Sequence, residues 1–182
     1  MAEVVEATKT HAVILAPRLR REDVEEIKAM NDHKPIDALL GAFAAPNAKV
    51  YTIVDGIEVI GMFGVSDCVN GTNYGVPWML TSSSIKTISR EFLRECKDWV
   101  DHLGEKYPVL YNFVHDKNKT AMRWLQWCGF DIKFQRPYGV KKENFYLFTK
   151  ELNNVWSSCC SSLDNRSGSF ELHTSWERWK CS

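Results

Sequence analysis

A few residues in this chain have types and spacing that can do chemistry. His115-Asp116 sets an imidazole beside a carboxylate at the end of an apolar run, and such a pair titrates near neutrality. Against that reading, adjacent residues at a strand end point to opposite sides, which favours two separate structural roles. Asp67-Cys68 offers a thiol, but nothing in sequence places a base beside it, so a nucleophile there lacks activation. Lys117, Lys119, Arg123, Lys133, Arg136, Lys141 and Lys142 make the 117–142 region basic. It reads first as a solvated face and second as a surface that touches phosphate. Of the six cysteines, Cys96 and Cys128 sit on apolar helical stripes and read as core thiols. Cys159-Cys160 is adjacent, which is not a zinc-ligand spacing, and no metal site is expected.

Those residues need elements to hold them. His11 to Leu19 reads as a buried strand, Arg21 to Asn31 as a short helix with Val24, Ile27 and Met30 inward, and Pro35 to Ala44 as a second helix. Lys49 to Val54 and Ile57 to Val65 read as strands joined at Asp55-Gly56, a strong hairpin signal. A loop over 70–75 precedes Val76 to Thr81, a short apolar strand in which Pro77 is awkward for a central position. Ser82, Ser83 and Ser84 form a polar turn that can cap the clearest helix, Ile85 to Leu103, whose apolar residues keep 3–4 residue spacing and which Gly104 closes. Val109 to Val114 is a strand, Asn118 to Cys128 a helix stopped by Gly129, and Asp131 to Phe134 with Asn144 to Thr149 a final strand pair. The fold class expected is α/β (α+β): a mixed, mostly antiparallel sheet flanked by helices.

The 182 residues are 45% apolar and 25% charged, enough for one folded domain. Lys plus Arg and Asp plus Glu are 23 each, which argues against a protein built to coat nucleic acid or an anionic membrane. No apolar run approaches a transmembrane length and the first residues show no signal-peptide core, so a cytoplasm is the expected compartment. The composition changes at 153. Residues 1–152 read as the domain, and 153–182, with eight serines, three tryptophans and three cysteines, as a C-terminal tail. Its Trp156, Trp176 and Trp179 are expected to contact a partner; simple disorder is the alternative reading of the tail.

Val114 to Phe130, with Asn118, Ala121, Gly129 and Phe130, resembles the late motif of the GNAT acetyltransferase fold. Asn118 caps a helix, Ala121 permits close packing, and Gly-Phe turns the chain into the next strand. A closer resemblance rests on Trp78-Met79-Leu80-Thr81-Ser82, Glu105-Lys106-Tyr107, Asn112, Val114, Asn118, Arg123, Leu125, Gly129 and Phe145 to Thr149. Over about residues 50–150 these are similar to the GNAT-like internal virion proteins of short-tailed T-odd bacteriophages. The resemblance implies a GNAT-like fold and a structural component of the virion, packaged with the ejection proteins after synthesis in the host cytoplasm. It implies other virion proteins as partners in an oligomeric assembly, with incidental DNA contact.

The GNAT resemblance also implies two chemical features, and the chain departs from both. The family's Gly-rich loop lets backbone N–H groups approach the coenzyme A pyrophosphate at a helix N-terminus. The matching stretch here, Ser82 to Ile88, has no glycine, and Ser83, Ser84, Lys86 and Thr87, with Asn118, are the contacts left should coenzyme A bind. The family's tyrosine acid falls on Leu125, which has no proton to give. The expectation is therefore weakened or lost acetyl transfer, no catalytic residue of the usual kind, and no cofactor. Two alternatives stand beside it: an acetyl-CoA-dependent N-acetyltransferase acting on an amine, and a non-enzymatic phage protein that binds a host factor.

Overall fold

Apolar content alone does not decide the N-terminal segment; its caps do. Thr8 accepts the backbone N–H of His11, and the His11 ring accepts that of Thr8, a reciprocal cap that starts a helix. His11 to Leu19 is accordingly no strand. Lys9–Leu15 forms an α-helix (α1), and Ala16–Arg18 a 3-10 turn. Ala12, Leu15 and Ala16 are buried while Val13 and Ile14 are 59% and 41% exposed, so the apolar run is one-sided with a helical period. The edge strand that the N-terminus does supply lies earlier, at Ala2–Glu6 (β1).

The computed structural model describes residues 2–68 and 72–152. Trp156, Trp176, Trp179 and the cysteines of the tail lie outside them. After α1 come α2 (Arg21–Asn31), α3 (Pro35–Gly41), β2 (Lys49–Asp55), β3 (Glu58–Asp67), β4 (Tyr74–Thr81), α4 (Ser89–Gly104), β5 (Val109–His115), α5 (Lys119–Trp127), β6 (Asp131–Tyr138) and β7 (Glu143–Glu151). The seven strands form one sheet in the order β1-β2-β3-β4-β5-β7-β6, antiparallel everywhere except between β4 and β5. The hairpin at Asp55 forms, with its two-residue loop at Gly56-Ile57 and Asp55 opposite Glu58.

Strand side chains alternate between two cores. On one face Cys96, Val100 and Leu103 of α4 and Leu125 of α5 pack on Ile53, Phe63, Val65, Leu110, Val114 and Phe148. On the other, Ala12, Leu15 and Leu39 cover Val50 and Met62, and Ala29 of α2 covers Phe113, Phe145 and Leu147. Cys96 and Cys128 are buried thiols with sulfurs 3.4 Å apart. Gly139, at φ +72°, ties the β6–β7 turn to the end of α2. A Cβ there would stand 2.5 Å from the Ala29 carbonyl oxygen, while Val140 N donates to Met30 O. That contact fixes α2 over the β5–β7 side of the sheet.

Candidate functional site

The sheet splits between β4 and β5. The two strands pair only at their first residues, Tyr74 with Val109 and Gly75 with Leu110. Gly75 permits that approach, since a Cβ there would lie 2.6 Å from both Leu110 and Tyr107 side chains. Ser82 N donates to Ile60 O and Cys68 N to Tyr74 O, so the even residues of β4 bond to β3. By strand alternation, the odd residues direct their N–H and C=O toward β5. Pro77 is odd. Its missing N–H costs nothing against β3 and removes the next rung to β5. Asn112 fills the gap with its side chain: Nδ2 donates to Pro77 O at 2.9 Å, and Oδ1 accepts Phe113 N at 2.8 Å. Beyond this wedge the strands diverge around a cleft of about 1700 Å³.

The freed strand edges find partners on α2, with one exception. Thr81 N donates to Asp23 Oδ2 at 3.0 Å, and Thr81 O accepts Arg20 N at 2.9 Å. His115 N, on β5, donates to Glu26 Oε2 at 3.2 Å. Two carboxylates one helical turn apart thus hold the two separated strand ends. Arg20 pairs Asp23 through Nε and Nη2, at 3.0 and 2.6 Å, and Asn118 Nδ2 adds a 3.0 Å bond to Glu26 Oε2. Met79 is the exception. Its N–H and C=O point to the cleft with no partner among the described residues.

Glu26 is partly open to the cleft, yet its carboxyl lies deep enough that desolvation pushes its pKa up to about 7. The Asp23 charge adds to the rise; the bonds from Asn118 and His115 N oppose it. Both hydrogen bonds fall on Oε2, which leaves Oε1 free of protein donors among the described residues.

At the opposite wall stands the serine-rich turn. Ser83–Lys86 winds as a 3-10 turn rather than the first turn of the long helix, and α4 starts only at Ser89, with no side-chain cap. Lys86 is exposed and lines the cleft with Ser89 and Phe92. Ser84 Oγ donates to Glu58 Oε1, and Arg18 pairs with the same carboxylate. The Ser84 bond first, and Arg18 after it, hold the Glu58 pKa below the ordinary value. The Thr87 hydroxyl donates to Ser84 O at 2.7 Å, and Ser83 is exposed but off the cleft wall. Of the expected cofactor contacts, the structure brings Lys86 and Asn118 to the cleft and commits Ser84 and Thr87 elsewhere. Asn118 caps α5 through Ala121 N at 3.3 Å while serving Glu26.

Leu125 is buried in the apolar core along the cleft. The nearby Tyr111 hydroxyl is engaged with Cys68 Sγ at 2.8 Å, and burial pushes its pKa up. That contact also accounts for Cys68, while Asp67 takes Tyr107 OH and Asn47 Nδ2. His115 is 3% exposed: Nδ1 accepts Lys117 N, so Nε2 carries the proton toward Glu143 at 3.0 Å. Asp116 stands 3.6 Å from Nδ1, beyond a hydrogen bond, so the two form no acid–base pair and His115 is a strand-end brace, the structural role the sequence favoured. In the basic region Lys117, Lys133 and Lys141 each meet a carboxylate, and Arg136 lies over the rings of Phe113 and Tyr138. Sequence reasoning missed Asp23 and Glu26, and the one signal available was acidic residues in a helix next to inward-facing apolar ones.

Neither a family profile nor any curated protein matches the chain. Solved structures do. A GNAT-family acetyltransferase from Streptococcus pneumoniae is 17% identical, with 84% of this chain and 99% of that one covered and a TM-score of 0.57. A putative acetyltransferase from Salmonella typhimurium, solved with its cofactor acetyl-CoA, is 16% identical over 87% and 99%, at 0.61. A GCN5-related N-acetyltransferase from Kribbella flavida is 16% identical over 83% and 98%, also at 0.61. These likenesses show the GNAT fold, as the late helix motif leads one to expect. They say nothing of a bacteriophage or virion origin.

The residues present fit an acyl-coenzyme A. Met79 offers one donor and one acceptor to an extended amide chain, as a strand edge does. Lys86 and the uncapped N-terminus of α4 offer positive charge to phosphate. Ser84 does not fit, because the Glu58 carboxylate beside it repels an anion.

Proposed function

We propose that this chain binds acetyl-CoA between β4 and β5 and transfers the acetyl group to an amine at a reduced rate. The observation that carries the reading is the open edge at Met79, a backbone donor and acceptor facing a cleft that Pro77 and Asn112 keep apart. When bound, the cofactor supplies a thioester activated toward amines. Met79 orients the amide-bearing arm; Lys86 and the start of α4 hold phosphate; Leu125 excludes water but offers no proton to a leaving sulfur. Loss of such an acid lowers rates by roughly 10²–10⁴. Calorimetric titration with acetyl-CoA tests the binding step. Micromolar affinity, about −8 kcal/mol, is expected for the wild type. Met79→Pro, which removes the cleft-facing N–H without touching the β3 ladder, is expected to weaken it at least tenfold with an unchanged far-UV spectrum. No binding at millimolar cofactor overturns the reading.

A second reading concerns where the protein works. The likeness of Trp78 to Ser82 and its companion residues to phage internal virion proteins supports a virion component made in the host cytoplasm. Its neighbours are other virion proteins, contacted through Trp156, Trp176 and Trp179. Peptide mass spectrometry of purified particles tests it: the intact chain is expected inside wild-type particles and depleted when 153–182 is deleted. Its absence from particles sinks the reading.

A further inference from the structure

We propose that Glu26 is the base of this site, taking a proton through Oε1 from the ammonium form of the acceptor amine. The inference rests on the acetyl-transfer reading and names the residue on which it turns. Glu26 lines the same cleft as Met79 and Lys86, and its Oε2 is pinned by His115 N and Asn118 Nδ2, which leaves Oε1 as the carboxylate oxygen without a protein donor among the described residues. Across the cleft, on the other strand end, Thr81 N donates to Asp23 one turn away, so the same stretch of α2 holds both walls.

The groups around Glu26 set its proton affinity. Asp23 and Arg20 lie at its own end of α2, His115 and Asn118 close over it from β5 and the start of α5, and Lys117 and Glu143 stand beyond the imidazole. Asp37 of α3 and Arg136 of β6 line the cleft farther along. Desolvation outweighs the two hydrogen bonds, and the carboxyl ionises at about 7, where a base near neutrality is most effective. A glutamine would give the same acceptor oxygen to Asn118 and His115 without that desolvation. The carboxylate is thus held at the expense of stability, which a purely structural role does not require.

The proton moves from the ammonium nitrogen to Oε1. The freed lone pair forms the new N–C bond as the C–S bond breaks. The nitrogen's second proton goes to the departing sulfur, and Glu26 returns its own to water. Arg20 neutralises Asp23 one turn away, so Glu26 is the carboxylate left for the acceptor, and the acceptors expected are primary amines that arrive as ammonium ions.

Glu26→Gln tests the proposal with two readouts. In the cofactor-free protein, the Glu26 side-chain carbon is expected to titrate by NMR near 7, and the variant is expected to melt at a higher temperature than wild type at pH 8. With butylamine as the acceptor probe, thiol release is expected to rise through pH 7 in the wild type. The variant should lose that limb and at least 10²-fold in rate while binding acetyl-CoA equally. Titration at 4–5, or an unchanged rate and profile, overturns the base assignment alone. Failure of acetyl-CoA to bind the wild type overturns the reading beneath it.

Discussion

The two walls of the cleft solve different problems with similar side chains. On the α4 wall, Ser83 to Thr87 are surface residues whose hydroxyls mostly serve their own turn and Glu58, leaving Lys86 to face the cavity. On the α2 wall, Asp23 and Glu26 are drawn inward by backbone N–H groups that the split sheet leaves without a ladder. A strand pair that opens creates unpaired donors, and the helix that satisfies them must bury carboxylates to do it. The wall that is polar in sequence is chemically ordinary, and the wall that reads as an amphipathic helix carries the perturbed group.

That contrast predicts a ranking of effects. Asp23→Ala leaves the Arg20 guanidinium and Thr81 N–H without their buried acceptor and is expected to cost about 3–5 kcal/mol in urea denaturation; a loss under 1 would mean solvent reaches both. Asn112→Ala strips the wedge from Pro77 O and Phe113 N–H, with about 2–3 kcal/mol expected by the same assay. Glu26→Gln should act in the opposite sense. Glu26 binds its proton more tightly folded than unfolded, so its penalty sets in as pH rises from about 4.5 to about 7 and is constant above. At pH 8 the variant is expected to gain about 2 kcal/mol after allowing for solvent entering through the cleft, and at pH 4 nothing. Smallest is Ser84→Ala, about 0.5 kcal/mol of stability with acetyl-CoA affinity unchanged. Lys86→Glu in the same titration should weaken binding at least tenfold, and a reversal of that order would return the phosphate contact to the serine turn.

Much of the sheet was legible from local chemistry. Pro77, awkward for a central strand, marked where the pairing of β4 with β5 stops, Asn118 and Gly129 marked the ends of α5, and the apolar stripe of α4 gave its buried face. What failed was also local. The run from His11 to Leu19 carries as many β-branched and apolar residues as a strand, and only the Thr8–His11 cap and the exposure of Val13 distinguish it from one. The site residues failed for a different reason. Glu26 meets His115 and Asn118 from 89 and 92 positions away, and Asp23 meets Thr81 from 58. No periodicity encodes those pairings; they follow from where Gly139 seats α2, which only the folded chain decides.

The Asn112 wedge has a mechanical consequence. A sheet joined at its centre by two residue pairs and one amide side chain has a seam, and the strands on either side can open as separate cooperative units. An extended molecule bonded to Met79 on one side and packed against β5 on the other would act as a strut across that seam. Amide exchange at Tyr111 and Phe113 would then report occupancy of the cleft, slowing as the two halves of the sheet become one unit.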